Sequence, residues 1–301
     1  MRILRKLTFS AVFAHFARKY DFRFLSDEMY LKLVYKGNTG RKLNLSDPTR
    51  YTEKLQWMKI HDHNPQYTTM VDKAAAKDWA GELIGRRHII PTIGLWKRFE
   101  DIDFDELPDR FVLKCTHDSK SVIICKDKQM FDYADAREKL NRALRREYFY
   151  EGRQWPYKNV PPQIIAEAYM ENKATGDLRD YKFFTFNGEP KIMYIATGRG
   201  TGETYGDFFD MEFNHLDLCI DHRNAPTCPE KPACFEEMKQ AASKLASGTP
   251  QVRVDFYEVD GQFYFGEMTF FHCSGFVKFH PDSWDETLAG WMPPCGECQS
   301  H

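Results

Sequence analysis

VRVDFYEVDGQFYFGEMTF, residues 252–270, is the stretch on which the fold of this chain turns. Residues 252–257 and 262–269 are rich in β-branched and aromatic side chains, and Asp260-Gly261 between them is a turn signal, so the stretch reads as an antiparallel hairpin. The hairpin sets two carboxylates, Asp255 and Glu267, on neighbouring strands among phenylalanines. Bare charge there needs a partner, and a divalent cation is a natural one. Register decides whether the two acids meet. A three-residue loop with Gly261 in a left-handed conformation places Arg253, Asp255, Glu267 and Thr269 on one face, whereas a two-residue loop puts Asp255 and Glu267 on opposite faces. On spacing alone, a hairpin with two solvated acids is the other reading.

Outward from the hairpin, the 301 residues are enough for a substantial core in one compound domain or two to three lobes. A formal net charge of −2 gives no electrostatic case for nucleic acid. The eight cysteines are scattered without a small-domain disulfide framework and no signal peptide is evident, which points to reduced thiols and a cytoplasmic protein. The first twenty residues hold an apolar run flanked by Arg2, Arg5, Lys6, Arg18 and Lys19, far short of a membrane span. They read either as a helix packed on the body or as a surface helix touching anionic lipid at the inner face of the membrane. The tail PPCGECQSH has a lone CxxC and a terminal His301; without a second pair it reads as a frayed end rather than a zinc site.

The pattern places a helix after the start signal Ser46-Asp47-Pro48 and another over 71–84, stopped by Gly85. Strands fall at 111–115 and 122–125, an amphipathic helix at 132–148, a strand at 164–170, a hairpin around Asn187-Gly188 and a helix at 235–245. Several charges then fall into order. Lys73 lies at a helix start, where backbone donors favour anions, and Lys114 ends an apolar strand before a tight turn. Asp180 and Lys182 project from one strand face. Each alone reads as a solvated strand-end charge; their succession toward Asp255 and Glu267 reads as a site.

With these segments in view, the chain resembles the ATP-grasp enzymes, and most closely the TupA-like branch associated with teichuronopeptide and surface-polysaccharide synthesis. The resemblance is carried by residues 51–73, IIPTIGLW, LPDRFVLKCTHDS, VIICKD, WPYKNVPPQIIAEAYMEN, DYKFFTFNGEPK and the opening hairpin, and runs to about residue 291. It implies an α+β ATP-grasp fold, with nucleotide held between a small α+β lid domain and a larger C-terminal antiparallel-sheet domain. The expected division is an N-terminal region at 1–70, a central segment at 71–107, the lid at 108–170, the C-terminal subdomain at 171–294 and a tail at 295–301. The resemblance also implies roles. Lys73 and Lys114 would hold nucleotide phosphates. The lid turn with Ser119, Lys120 and Ser121 would close over them. Glu167 would open a hinge whose backbone at Ala168 and Met170 reads the adenine edge. Asp180 and Lys182 would stand at the transferred phosphate. Asp255 and Glu267 would bind one or two Mg2+ ions, with Thr269 where asparagine is usual.

Further departures from the family pattern are Lys120-Ser121 in place of glycines and the segment FFHCSGF, where His272 and Cys273 occupy the expected substrate loop. The implied reaction is carboxylate–amine ligation: a carboxylate attacks the γ-phosphate of ATP, and an amine then attacks the acyl phosphate. Arg199 and Arg253 are candidates for gripping the substrate carboxylate or, equally, for structural ion pairs. The expected partners are a small-molecule or glycan substrate with a carboxylate, drawn from a polysaccharide precursor, and an amine such as an amino acid. The alternatives are a sugar or glycan kinase on the same fold and a glycosyltransferase using a nucleotide sugar.

Overall fold

The computed structural model describes residues 8–173, 178–198, 203–220 and 222–296. In chain order the helices are α1 (Phe9–Phe16), α2 (Asp27–Thr39), α3 (Tyr51–His61), α4 (Gln66–Val71) and α5 (Ala75–Ile84). Then come strands β1 (Thr92–Trp96), β2 (Phe111–Cys115) and β3 (Ile123–Cys125), helix α6 (Tyr133–Leu144), and strands β4 (Ile164–Ala168), β5 (Asp180–Phe186), β6 (Glu189–Thr197), β7 (Tyr205–Asp210) and β8 (His215–Leu216). Helix α7 (Phe235–Ala246), strands β9 (Gln251–Val259) and β10 (Gln262–Thr269) and helix α8 (Ser283–Trp291) complete the chain.

Two antiparallel sheets organise these elements. The smaller has the order β1-β4-β2-β3 and the larger β10-β9-β5-β6-β7-β8. The small sheet packs on α6 through Ala136, Leu140 and Ala143, around a core with Phe111, Leu113 and Ile164. Because β1 pairs with β4, and Phe99, Ile102 and Leu107 fill that same core, the segment from Thr92 onward belongs to the lid. Packing thus ties residues from Thr92 to the small sheet, across the expected boundary at 108. The large sheet carries its main core with α7, where Phe183 meets Phe235 at 5.8 Å between ring centroids and Phe256 and Met268 are buried beside them. A third core joins α1 and α2 through Phe13, Tyr30, Leu31 and Tyr35.

Local chemistry explains where the helices start. The helix expected to follow Ser46-Asp47-Pro48 begins later, at Tyr51. Its first turn is closed by Glu53, which accepts from the backbone N–H groups of Thr49 and Arg50, and by Asp285 of α8, which accepts from Thr52 N at 2.9 Å. The helix expected over 71–84 is two helices broken at Asp72-Lys73-Ala74, where Asp72 accepts from Ala74 N. Asp132 caps α6 by accepting from the N–H groups of Ala134 and Asp135, and the helix ends at Leu144 rather than at 148. Strand β4 likewise ends at Ala168 and leaves Met170 beyond it.

The decisive hairpin differs from expectation in an instructive way. Its loop has two residues, with Val259 opposite Gln262 and positive φ at both Asp260 (50°) and Gly261 (79°). That register alone would have separated the acids. The pairing shifts, however, between Phe265 and Glu267, where Gly266 is an extra residue, so Glu267 faces Asp255 and Thr269 faces Arg253. A Cβ at Gly266 would lie 3.0 Å from the Tyr257 ring and 3.1 Å from the Asp255 carbonyl oxygen, so a side chain there would crowd the bulge.

Candidate functional site

The bulge lets β10 present Glu267 and Thr269 on the face where β9 presents Arg253 and Asp255. Strand β5 adds Asp180 and Lys182, with Lys182 directly opposite Asp255. Asp255 is buried and saturated with cations: Arg253 donates to both of its oxygens at 2.6 Å, and Lys182 bridges it to Asp180. Burial opposes ionisation of Asp255, but Arg253 and Lys182 outweigh it and hold the carboxyl below its usual range. Arg253 also reaches Glu267 at 3.2 Å and Thr269 Oγ1 at 3.0 Å, and it donates through Nη1 to His272 Nδ1 at 2.6 Å. That last contact requires the Nε2–H tautomer of His272. Burial together with Arg253 and Lys182 pushes its pKa well down, so the ring is neutral.

The opposite wall comes from the lid and the α4–α5 break. Glu167 is buried between two lysines, Lys77 at 2.6 Å and Lys114 at 2.6 Å. Burial raises its pKa, and the two ammonium groups more than reverse that. Lys73 is half-buried; its N–H donates to Thr116 O at the end of β2 and its ammonium to Asp118 O. Burial lowers its pKa, as does Lys114, while Glu267 and Asp118 act in the other direction. The mutual influence of Lys73 and Glu267 ties the two walls into one electrostatic unit.

Other expected contacts are arranged differently. Ser121 is buried, accepting from Cys115 N at 2.7 Å and donating to Asp118, so its hydroxyl locks the lid turn and does not face a phosphate. Lys120 pairs with Glu151 at 2.6 Å, and Ser119 shares a hydrogen bond with Tyr148 at 2.7 Å. Ala168 N–H donates to Pro91 O at 3.0 Å, so its backbone donor is already engaged. The side chain of Glu167 is likewise committed to holding Lys77 and Lys114. Thr269 accepts from Arg253 and donates to Glu267 at 3.2 Å; its hydroxyl orients those two and is no free ligand. Arg199 lies outside the described residues, as do Cys298 and His301.

Lys77 escaped sequence reading, although VDKAAAK sets it four residues after Lys73 and so on the same side of a helical turn. The segment expected to form the substrate loop is a tight left-handed turn, with positive φ at Cys273 (47°), Ser274 (56°) and Gly275 (64°). Gln56 and the buried ammonium of Lys59 hold its carbonyls, at 3.0 Å from Gly275 O and 2.8 Å from Ser274 O respectively. A cavity of about 470 Å³ opens between Arg253, Glu267 and Thr269 on one side and Ser119 and Lys120 on the other. Helices α1 and α2 wall it with Ala14 and Tyr30.

Two facing carboxylates are a donor set that suits a hard divalent cation. Among the described residues no group of three or more His, Cys, Asp or Glu side chains could hold a metal by itself. Both oxygens of Asp255 accept from Arg253 and one also from Lys182, so of the two acids Glu267, 37% exposed, is the one that could offer an oxygen to an ion.

A family described as TupA-like ATPgrasp matches residues 53–292. No curated protein matches the chain. Among solved structures it is similar to a D-alanine–D-alanine ligase from Bacillus anthracis, with 17% identity, TM-score 0.38 and coverage of 72% of this chain and 58% of that one. The corresponding enzyme from Helicobacter pylori gives 13%, 0.40, 82% and 70%. The ATP-grasp ligase PsnB, complexed with a phosphomimetic variant of its minimal precursor, Mg and ADP, gives 9%, 0.36, 73% and 56%. The chain thus spans a little over half the length of the first of these.

Proposed function

Because this chain belongs to the TupA-like ATP-grasp family, we propose that it is an ATP-dependent carboxylate–amine ligase. The observation that carries the reading is the cavity that joins Glu267 and Arg253 to the lid turn, with Lys182 paired to Asp255 behind Arg253 and Lys114 paired to Glu167 on the small sheet. A nucleotide between the two sheets meets Lys73 and Lys114 at its phosphates. Lys182, released from part of its hold on Asp255, neutralises charge as the γ-phosphoryl group moves. Glu267, with Asp255 beside it, would hold magnesium, which when bound would supply charge neutralisation there.

In the first step a substrate carboxylate oxygen bonds to the γ-phosphorus and the bond to the β-phosphate oxygen breaks, giving an acyl phosphate and ADP. In the second an amine adds to the acyl carbon, phosphate departs and a proton is lost, leaving an amide. Arg253, which lines the cavity, is the proposed grip on the carboxylate. The proposed acceptor is a uronic-acid carboxylate of a surface-polysaccharide or capsule precursor and the proposed amine an amino acid. Both follow from the family association.

No helix among the described residues is long and apolar enough to cross a membrane. Phe9 (75% exposed) and Phe24 (83% exposed), in a segment that also holds Arg18 and Lys19, support contact of the α1 region with an anionic lipid surface at the cytoplasmic face.

The test is ADP release across a panel of uronic-acid sugars and amino acids, with the product identified by mass. Turnover that needs both partners and yields an amide supports ligation; a phosphorylated sugar formed without amine overturns it. Glu267→Gln should retain nucleotide binding and lose turnover by roughly 100-fold or more.

A further inference from the structure

A second cavity, of about 580 Å³, lies beside the first. The end of α1 contributes Arg18 and Lys19, the lid turn Lys120, and α6 with the turn after it Lys139, Arg142, Arg145 and Arg146. Its acids are already engaged. Glu151 is shared by Lys120 and Arg146, Asp118 is buried on Ser121, and Asp21 pairs with Arg23. Arg142 pairs with the exposed Glu138 at 3.6 Å.

Lys139, Arg142 and Arg146 follow one another at three- and four-residue spacing and so lie along one side of the chain. Cations near a helix C-terminus are ordinarily explained by the helix dipole, and that accounts for the α6 wall. Arg18 and Lys19 likewise follow the C-terminus of α1, so two helix ends turn their cations onto one cavity. Two like-charged walls repel, and an anion between them removes the repulsion. Arg18, Lys120 and Glu151 line both cavities, so one molecule can occupy the two together.

We infer that this basic cavity binds a phosphate or diphosphate group carried by the acceptor, whose reacting carboxylate sits in the first cavity. The inference rests on the proposed ligase reading, with the acceptor carboxylate beside Arg253 and Glu267 in the first cavity. Guanidinium groups match phosphate oxygens in pairs, and the surplus of cations suits an anion of more than one charge. The acceptor is thus a phosphorylated or diphosphate-linked sugar acid rather than a free one.

The probe is inorganic pyrophosphate, titrated calorimetrically into the full chain saturated with magnesium and a non-hydrolysable ATP analogue, which closes the nucleotide site. Binding is expected, and it should weaken roughly tenfold or more in Arg142→Ala/Arg145→Ala, the loss of one charged hydrogen bond or more. Arg137→Ala, whose side chain pairs with Glu100 outside this cavity, should bind as the unaltered protein does. No pyrophosphate binding, or equal binding by the double variant, overturns the inference when the analogue itself binds. If the analogue fails to bind, the nucleotide reading falls instead, and the same comparison of variants with pyrophosphate alone decides the basic cavity. Uridine diphosphate and farnesyl diphosphate carry the same group on a nucleoside and on a lipid. A loss of affinity for either in the double variant supports the site, and the tighter of the two names the class of carrier.

Discussion

Lys73 is held at the seam between lid and sheet, where burial makes its ammonium easier to deprotonate than a solvated one. A bound polyphosphate favours the charged form, so nucleotide binding should draw a proton onto Lys73 at alkaline pH. ATP affinity should then fall as pH rises through the depressed pKa of the free protein. Calorimetry from pH 7 upward in buffers of different ionisation enthalpy checks this, and Lys73→Arg, whose charge does not titrate, should flatten the fall. At this scale the sequence was legible where a residue type has few uses: acids among phenylalanines, and lysines before tight turns. It was not legible for Ser121, Ala168 and Thr269, because their partners Asp118, Pro91 and Arg253 were not all local in sequence. Nor was it for Glu167, whose two lysines approach from α5 and β2.

Among the elements, the hairpin shows how a right conclusion came by a different route. The strands and the Asp-Gly turn were evident from composition, but a glycine within a strand, Gly266, also announces a bulge, and it is the bulge that aligns Glu267 with Asp255. Helix α2 carries a comparable glycine. A Cβ at Gly37 would lie 2.1 Å from Ser10 O and 2.5 Å from the Ala14 Cβ, so α1 rests directly on that backbone. Gly37→Ala gains about 1 kcal/mol of helix propensity yet must push α1 away from the cavity. It should raise the acceptor KM severalfold while leaving affinity for the ATP analogue unchanged, as steady-state kinetics and calorimetry would show. The exposed aromatics of the α1 region should bring the protein down with sedimented phosphatidylglycerol vesicles and not with neutral ones. Phe9→Ser/Phe24→Ser should remain in the supernatant if those rings make the contact.

For the whole molecule, three separate apolar cores meet around one chamber: the large sheet with its helices, the lid, and the α1–α2 pair. The first two were foreseeable because each is built on strands with strong periodic signals. Of the third only a packed helix in the first twenty residues was foreseen, since α1 and α2 reveal their place at the cavity only when Arg18 and Tyr30 are seen lining it. Magnesium and ATP bind between lid and sheet in this reading, so at a hundred times the dissociation constant they should add about 2.7 kcal/mol to stability. A thermal melt would register this as a rise of several degrees, and chelation of the metal should diminish it. The cores are joined by ties such as Arg153 to Phe22 O and Tyr35 to Thr52, and whatever fills the chamber between them adds to that joint. A genuine acceptor touches sheet, lid and α1–α2 together, and should therefore announce itself by fusing separate unfolding steps into one. The missing substrate can in this way be sought by calorimetric cooperativity, before any turnover has been seen.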